Sequence, residues 1–137
     1  MAKAAGVCLR ALAPVLVAMV PVTSRALEGD AGRGERAFQR CYSCHSVDPN
    51  EKAKLQGPTL YRIMERPAAA ISDFEYSDAM RAKAAAGLIW DATTLDRYVA
   101  DPESVVPGTR MSVPPLRDDR ERADLIAYLA LSGRYNP

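Results

Sequence analysis

The stretch Arg40-Cys41-Tyr42-Ser43-Cys44-His45-Ser46 sets two cysteines three apart and follows the second with the only histidine in 137 residues. No other feature narrows the possible folds as far. A structural zinc site needs four Cys or His ligands, and beyond the N-terminal segment the chain offers Cys41, Cys44 and His45 alone. A thioredoxin-like dithiol normally stands beside a βαβ unit, and no stretch here alternates apolar and polar residues as a strand would. The third chemistry that uses this spacing is covalent attachment of a c-type haem.

The rest of the chain fits the third chemistry. Two thiols on one helical turn can reach the two vinyl groups on one porphyrin edge and form thioethers, which leaves the next residue, His45, under the iron as proximal ligand. The other face of the iron then needs a sulfur, lysine or tyrosine, or stays open. His/Met pairing is the arrangement that raises the potential of cytochromes c. Met64, Met80 and Met111 are the methionines outside the N-terminal segment. Met64 and Met80 fall on expected helical segments and read as packing. Met111 closes a Pro107-Gly108-Thr109-Arg110 loop far from His45 and is the candidate second ligand, with simple packing as its alternative.

Before this domain comes a segment of another kind. Lys3 and Arg10 precede an apolar run over 11–22, and Ser24-Arg25-Ala26 presents small residues where a signal peptidase reads them. Twelve residues interrupted by Pro14 and Pro21 fall short of the roughly 20 that span a bilayer, so no permanent membrane anchor is expected. Residues 1–26 therefore read as a cleaved secretory signal and 27–137 as one domain in the periplasm. Cleavage would remove three basic residues and no acidic one, turning the formal charge of +1 into −2. Such a balance gives no nucleic-acid footprint.

Capping and periodicity predict an all-α domain of four to five short helices. One runs from Asp30 to Arg40 and ends near the cysteines. A short turn over 60–65 follows Thr59 and stops at Pro67. Ser77 caps a helix over 78–86 with Gly87 past its end, and Asp91 caps another over 92–100 that Pro102 ends. Asp118 and Glu121 have capping-box spacing at the head of a helix reaching Ser132, with Leu125, Ile126, Tyr128 and Leu129 as its apolar stripe. Loops of about a dozen residues between such short helices make a poor core unless they wrap a large cofactor.

The ordered set Gly34-Glu35-Arg36-Ala37-Phe38, Cys41-Tyr42-Ser43-Cys44-His45, Gly57-Pro58-Thr59-Leu60, Phe74-Glu75-Tyr76-Ser77-Asp78-Ala79, Trp90, Tyr98 with Pro102, Pro107 to Met111 and Leu125 to Leu129 resembles class I c-type cytochromes, mitochondrial and small bacterial. The resemblance spans about Gly29 to Gly133 and implies the cytochrome c fold, one haem c on Cys41 and Cys44, and axial ligation by His45 and Met111. It also implies that Pro58 offers its carbonyl to the free ring nitrogen of His45. Tyr76 and Trp90 would hydrogen-bond a buried propionate, with Arg66 and Thr109 nearby. Tyr98 would sit by the Met111 sulfur, and Gly34 and Phe38 would meet Tyr128 and Leu129 where the first and last helices cross.

The chain departs from the mitochondrial pattern in two places. The helix after Tyr76 is about three residues longer, with Met80 where the mitochondrial form has an asparagine in a water network. The lysine collar around the haem edge is missing. The function implied is one-electron shuttling by a monomer between redox proteins: a membrane cytochrome complex, an oxidase, a photosynthetic reaction centre or a dehydrogenase. A dedicated dehydrogenase subunit and a peroxidase or gas-binding haem protein with a labile Met111 are the alternatives. Arg40, Lys54, Arg110 and Arg117, close in sequence to the attachment and ligand loops, form the expected docking patch.

Overall fold

The computed structural model describes residue 1 and residues 28–133, so the expected signal segment lies, apart from Met1, outside the described residues. Five helices follow in order: α1 (Ala31–Phe38), α2 (Asp78–Ala85), α3 (Ala92–Ala100), α4 (Pro102–Val105) and α5 (Asp119–Leu131). Their starts follow from side-chain capping. Asp30, Ser77, Asp91 and Asp118 each accept a hydrogen bond from the backbone N–H three residues on, covering a donor that the first helical turn leaves without a partner. Gly87 takes φ +83° just past α2, where a side chain would be strained.

Three expectations change. α1 stops at Phe38, and the residues up to Cys44 continue as turns. Pro102 does more than end α3: with Asp101 extended at φ −158° and capping through its side chain, Pro102 occupies the first position of the extra helix α4, where its missing N–H costs nothing. The chain also contains an antiparallel ladder, β1 (Arg66–Pro67) with β2 (Ile89–Trp90), pairing Arg66 with Trp90 and Pro67 with Ile89. Two residues are too few to show alternation in a sequence. Around this ladder Arg62, Glu65 and Ala69 hold φ between +53° and +62°, a left-handed backbone that costs non-glycine residues roughly 1 kcal/mol each.

α1 and α5 make the most extensive contact between elements. They approach so closely that a Cβ on Gly34 would lie 1.9 Å from the carbonyl oxygen of Asp124 and 2.7 Å from Tyr128 Cβ. Phe38 meets Tyr128 across the same crossing, ring centroids 5.4 Å apart. The helices are locked at one end by the buried Asp124 carboxylate, which accepts from Asp30 N at 2.7 Å and from Arg33 Nε and Nη2 at 2.6 and 2.8 Å. A second buried charge, Arg122, ties α5 to α3 through Asp96 at 2.7 Å, and to the chain before α5 through the Leu116 carbonyl at 3.0 Å. Arg122 also reaches Asp119 at 2.7 Å. Neither pair could be read from the sequence, because each joins residues whose nearness depends on how the helices cross.

The hydrogen bonds from Arg33 and Asp30 hold the Asp124 carboxyl below its ordinary range. A carboxylate depressed on folding contributes stability that is fully present above its unfolded value of about 3.9 and is lost as pH falls through the folded one. Asp124→Asn is therefore expected to unfold at lower urea than the parent at pH 7, with the gap narrowing as pH falls below about 4. Urea midpoints at pH 7 and pH 3 check this; a gap of equal size at both would mean that the ionised pair contributes nothing.

Candidate functional site

The helices leave between them a cavity of about 390 Å³, within the roughly 300–1,000 Å³ of small-molecule and cofactor sites. Its apolar wall comes from Phe38 of α1, Leu95 and Val99 of α3, and Leu125 and Leu129 of α5. Phe38, Leu95, Leu125 and Leu129 are also core residues. All ten residues singled out from the sequence line this one cavity: Cys41, Cys44, His45, Pro58, Arg66, Tyr76, Trp90, Tyr98, Thr109 and Met111.

The two cysteines are free thiols on the turns that follow α1, which bind Cys44 N and His45 N back to the Cys41 carbonyl at 3.0 and 2.9 Å. His45 is held at two points. Its Nδ1 lies 2.7 Å from the carbonyl oxygen of Pro58, and since a carbonyl only accepts, Nδ1 carries the proton and the Nε2 lone pair is left to bind. Burial pushes the imidazole pKa down, favouring the neutral ring that a metal requires. The ring also rests on Gly57, where a Cβ would lie 2.2 Å from His45 Cε1. The loop is tied to the motif by Gly57 N to Cys44 O and Leu60 N to Ser46 O, both 2.8 Å. Gly57 therefore belongs to the site, although only its place in the Gly57-Pro58 pair hinted at it.

Arg66 and Trp90 are partners across the β1–β2 ladder, so their side chains share a face, and both reach the cavity. Arg66 is almost wholly buried and donates to the Thr59 carbonyl at 2.6 Å and the Tyr61 carbonyl at 3.1 Å. Trp90 packs on Tyr98 with centroids 4.9 Å apart. Tyr76 packs edge-on against Phe74, and burial raises its phenol pKa. Tyr98 and Thr109, expected in separate roles, are bonded to each other at 2.8 Å between hydroxyls, and Thr109 Oγ1 also accepts from Met111 N at 3.2 Å. That chain of contacts ties the Met111 loop to α3.

Met64 and Met80 both pack against the core, as expected. Met64, however, lies at a single bridge residue just before β1 rather than on a helix. Met80 is on α2 as expected, yet it lines the cavity together with Met111. Helical periodicity could not show this, because it places Met80 with Ala79 and Ala84 on the packed face of α2 but does not tell core from cavity.

The charged side chains on the cavity wall, His45 aside, are Arg40, Arg66 and Arg110, without a carboxylate among them. An apolar slot with two thiols, an imidazole nitrogen, thioethers and guanidinium groups suits a flat, iron-centred macrocycle that carries acidic substituents. Haem has that make-up, and the donor set fits it: Cys41 and Cys44 to bond the vinyl edge, and His45 to meet the iron.

Comparison with known proteins agrees. A family model described as Cytochrome c matches residues 31–132. Cytochrome c2 of Rhodomicrobium vannielii is 40% identical over 119 residues, covering 87% of this chain and 92% of that protein. Cytochrome c type-1 of Ascaris suum is 43% identical over 103 residues, covering 74% of this chain and 88% of that protein. The solved structure of cytochrome c2 from Rhodospirillum centenum matches with a TM-score of 0.70 at 33% identity, covering 75% of this chain and 98% of that one. With a match running from the first residue of α1 to the end of α5, the chain belongs to the cytochrome c family: it is a class I c-type cytochrome, an electron carrier and not an enzyme, with one haem c attached through Cys41 and Cys44.

Proposed function

We propose that this protein is an exported, soluble carrier that shuttles single electrons between redox proteins of the periplasm, with His45 and Met111 as axial ligands. The observation that carries this reading is the single cavity onto which the attachment motif and the distant Met111 loop both open. When bound, the haem supplies the Fe(II)/Fe(III) couple, and the protein's part is to hold and tune it.

Each residue then has a physical task. His45, fixed in one tautomer by Pro58, would offer the iron a neutral imidazole. Met111, steadied through Thr109, would offer a thioether, a ligand that favours the reduced iron. Tyr98 holds Thr109 and through it the ligand loop. Arg66, Trp90, Tyr76 and Thr109 all line the cavity and would offer polar atoms to a buried propionate, whose charge the Arg66 guanidinium would offset in part. The apolar wall keeps water away and lessens reorganisation between redox states. Residues 1–26 would direct export and be removed, and no helix among the described residues is long and apolar enough to cross a membrane.

Partner docking falls to the cavity rim. Arg40 and Arg110 line the cavity, with Lys54 and Arg117 exposed. Arg40 is already paired with Glu121 at 3.2 Å, whereas Arg110 donates to the backbone carbonyl of Glu75 and keeps its full charge. Arg110 is thus the stronger candidate for an acidic redox partner, be it a membrane cytochrome complex, an oxidase, a reaction centre or a dehydrogenase.

Two outcomes follow. In the haem-loaded protein, Met111→Ala weakens or displaces the ferric sulfur-to-iron charge-transfer absorption and lowers the midpoint potential in a redox titration. An unchanged spectrum and potential would remove Met111 from the iron. At low ionic strength Arg110→Glu slows electron transfer to the native partner by roughly tenfold, more than Arg40→Glu does, and the difference closes at high salt. Stopped-flow rates against salt concentration check this, and salt-independent, unaltered rates would dismiss the rim as a docking face.

A further inference from the structure

The haem cavity has two thioethers on its wall, and the reading above uses one. Met80 reaches the cavity from α2, half-buried, while Met111 reaches it from the loop after α4. We propose that Met80 is a reserve iron ligand, which binds through its sulfur when Met111 leaves the metal; the proposal rests on the reading that Met111 is the resting ligand.

The other groups on the wall are poorly suited to that task. His45 is the proximal ligand. The Tyr98 hydroxyl is bonded to Thr109, and burial raises the Tyr76 phenol pKa, disfavouring the phenolate that would bind a metal. Arg40, Arg66 and Arg110 carry side chains that donate hydrogen bonds and have no acceptor lone pair to give. Lys52, Lys54 and Lys83, the lysines among the described residues, are not part of the wall. Met80 has a soft sulfur donor, only weak hydrogen bonding to lose, and three rotatable bonds with which to move.

Its helix is also the one most able to follow. α1, α3, α4 and α5 each bury residues, but α2 buries none fully. It is held by the Ser77 cap, by Arg81, which reaches Asp78 and the Tyr76 carbonyl, and by Ala79, Met80 and Ala84, which pack partly buried against the core. A small shift of α2 therefore disturbs no fully buried side chain of that helix. The exchange is balanced: one iron–thioether bond breaks, another forms, and neither a proton nor an electron moves. Its effect is to keep the iron six-coordinate and sulfur-ligated, closing it to small ligands at the moment when a lone labile methionine would open it.

The test uses the haem-loaded protein and three variants, Met80→Leu, Met111→Ala and the double variant, with imidazole as the competing ligand. Met80→Leu is expected to keep the parent ferric spectrum, which also shows that it folds and takes up haem. Met111→Ala keeps a weakened sulfur-to-iron absorption, the double variant has none, and the double variant binds imidazole about tenfold more tightly than Met111→Ala, because no internal ligand competes. Identical spectra and imidazole affinities for Met111→Ala and the double variant would overturn the reserve role while leaving Met111 as ligand. Loss of the absorption in Met80→Leu alone would make Met80 the resting ligand, overturning both assignments, and an unchanged spectrum in all three would overturn sulfur ligation itself.

Discussion

The apolar side chains of α1, α3 and α5 close on one another and, with the same residues, wall a cavity. Phe38, Leu95, Leu125 and Leu129 belong to the hydrophobic core and to the cavity wall at once, so the packing that holds the helices also shapes the site. A domain of this size has little spare core with which to build the two separately. The covalent anchor is the counterpart of that dependence: a chain that shares its core with its cofactor holds on to it. Fold and cofactor are therefore one design problem, and the attachment motif stands where α1 ends because that is where the wall begins.

Around the cavity, polar chemistry is used sparingly and is all committed. Asp124 and Arg122, the two buried charges on α5, have partners on α1, α3 and the loop before α5, and they fix how the helices cross. Arg66 ties the turn before β1 to the cavity through two backbone carbonyls. Among the described residues no buried side-chain nitrogen or oxygen lacks a hydrogen-bond partner. A site arranged in this way moves little, which is what a carrier requires if most of each transfer is to be change of charge and not of shape.

Much of this was legible in the amino-acid sequence, for reasons that differ by feature. Helix starts were visible because an N-cap is a local contract between a side chain and an N–H three residues on, as at Asp30, Ser77, Asp91 and Asp118. The attachment motif was visible because bonding one rigid porphyrin edge permits one spacing. The ladder between Arg66–Pro67 and Ile89–Trp90 was not, since two residues have no periodicity. Nor was the partnership of Arg33 with Asp124, which depends on a crossing that helical patterns leave open. Met80 reads correctly as a packing residue on a helix, but its place on the cavity wall was not legible, because that depends on how α2 sits against the rest of the fold.

The contact of His45 with Gly57 reaches further than anchoring. With Nδ1 bonded to Pro58 and the ring packed on bare backbone, any side chain at position 57 would have to displace the imidazole, and with it the one ring lone pair that the motif leaves free. A missing methyl group at position 57 is thus what gives that nitrogen its place in the cavity wall.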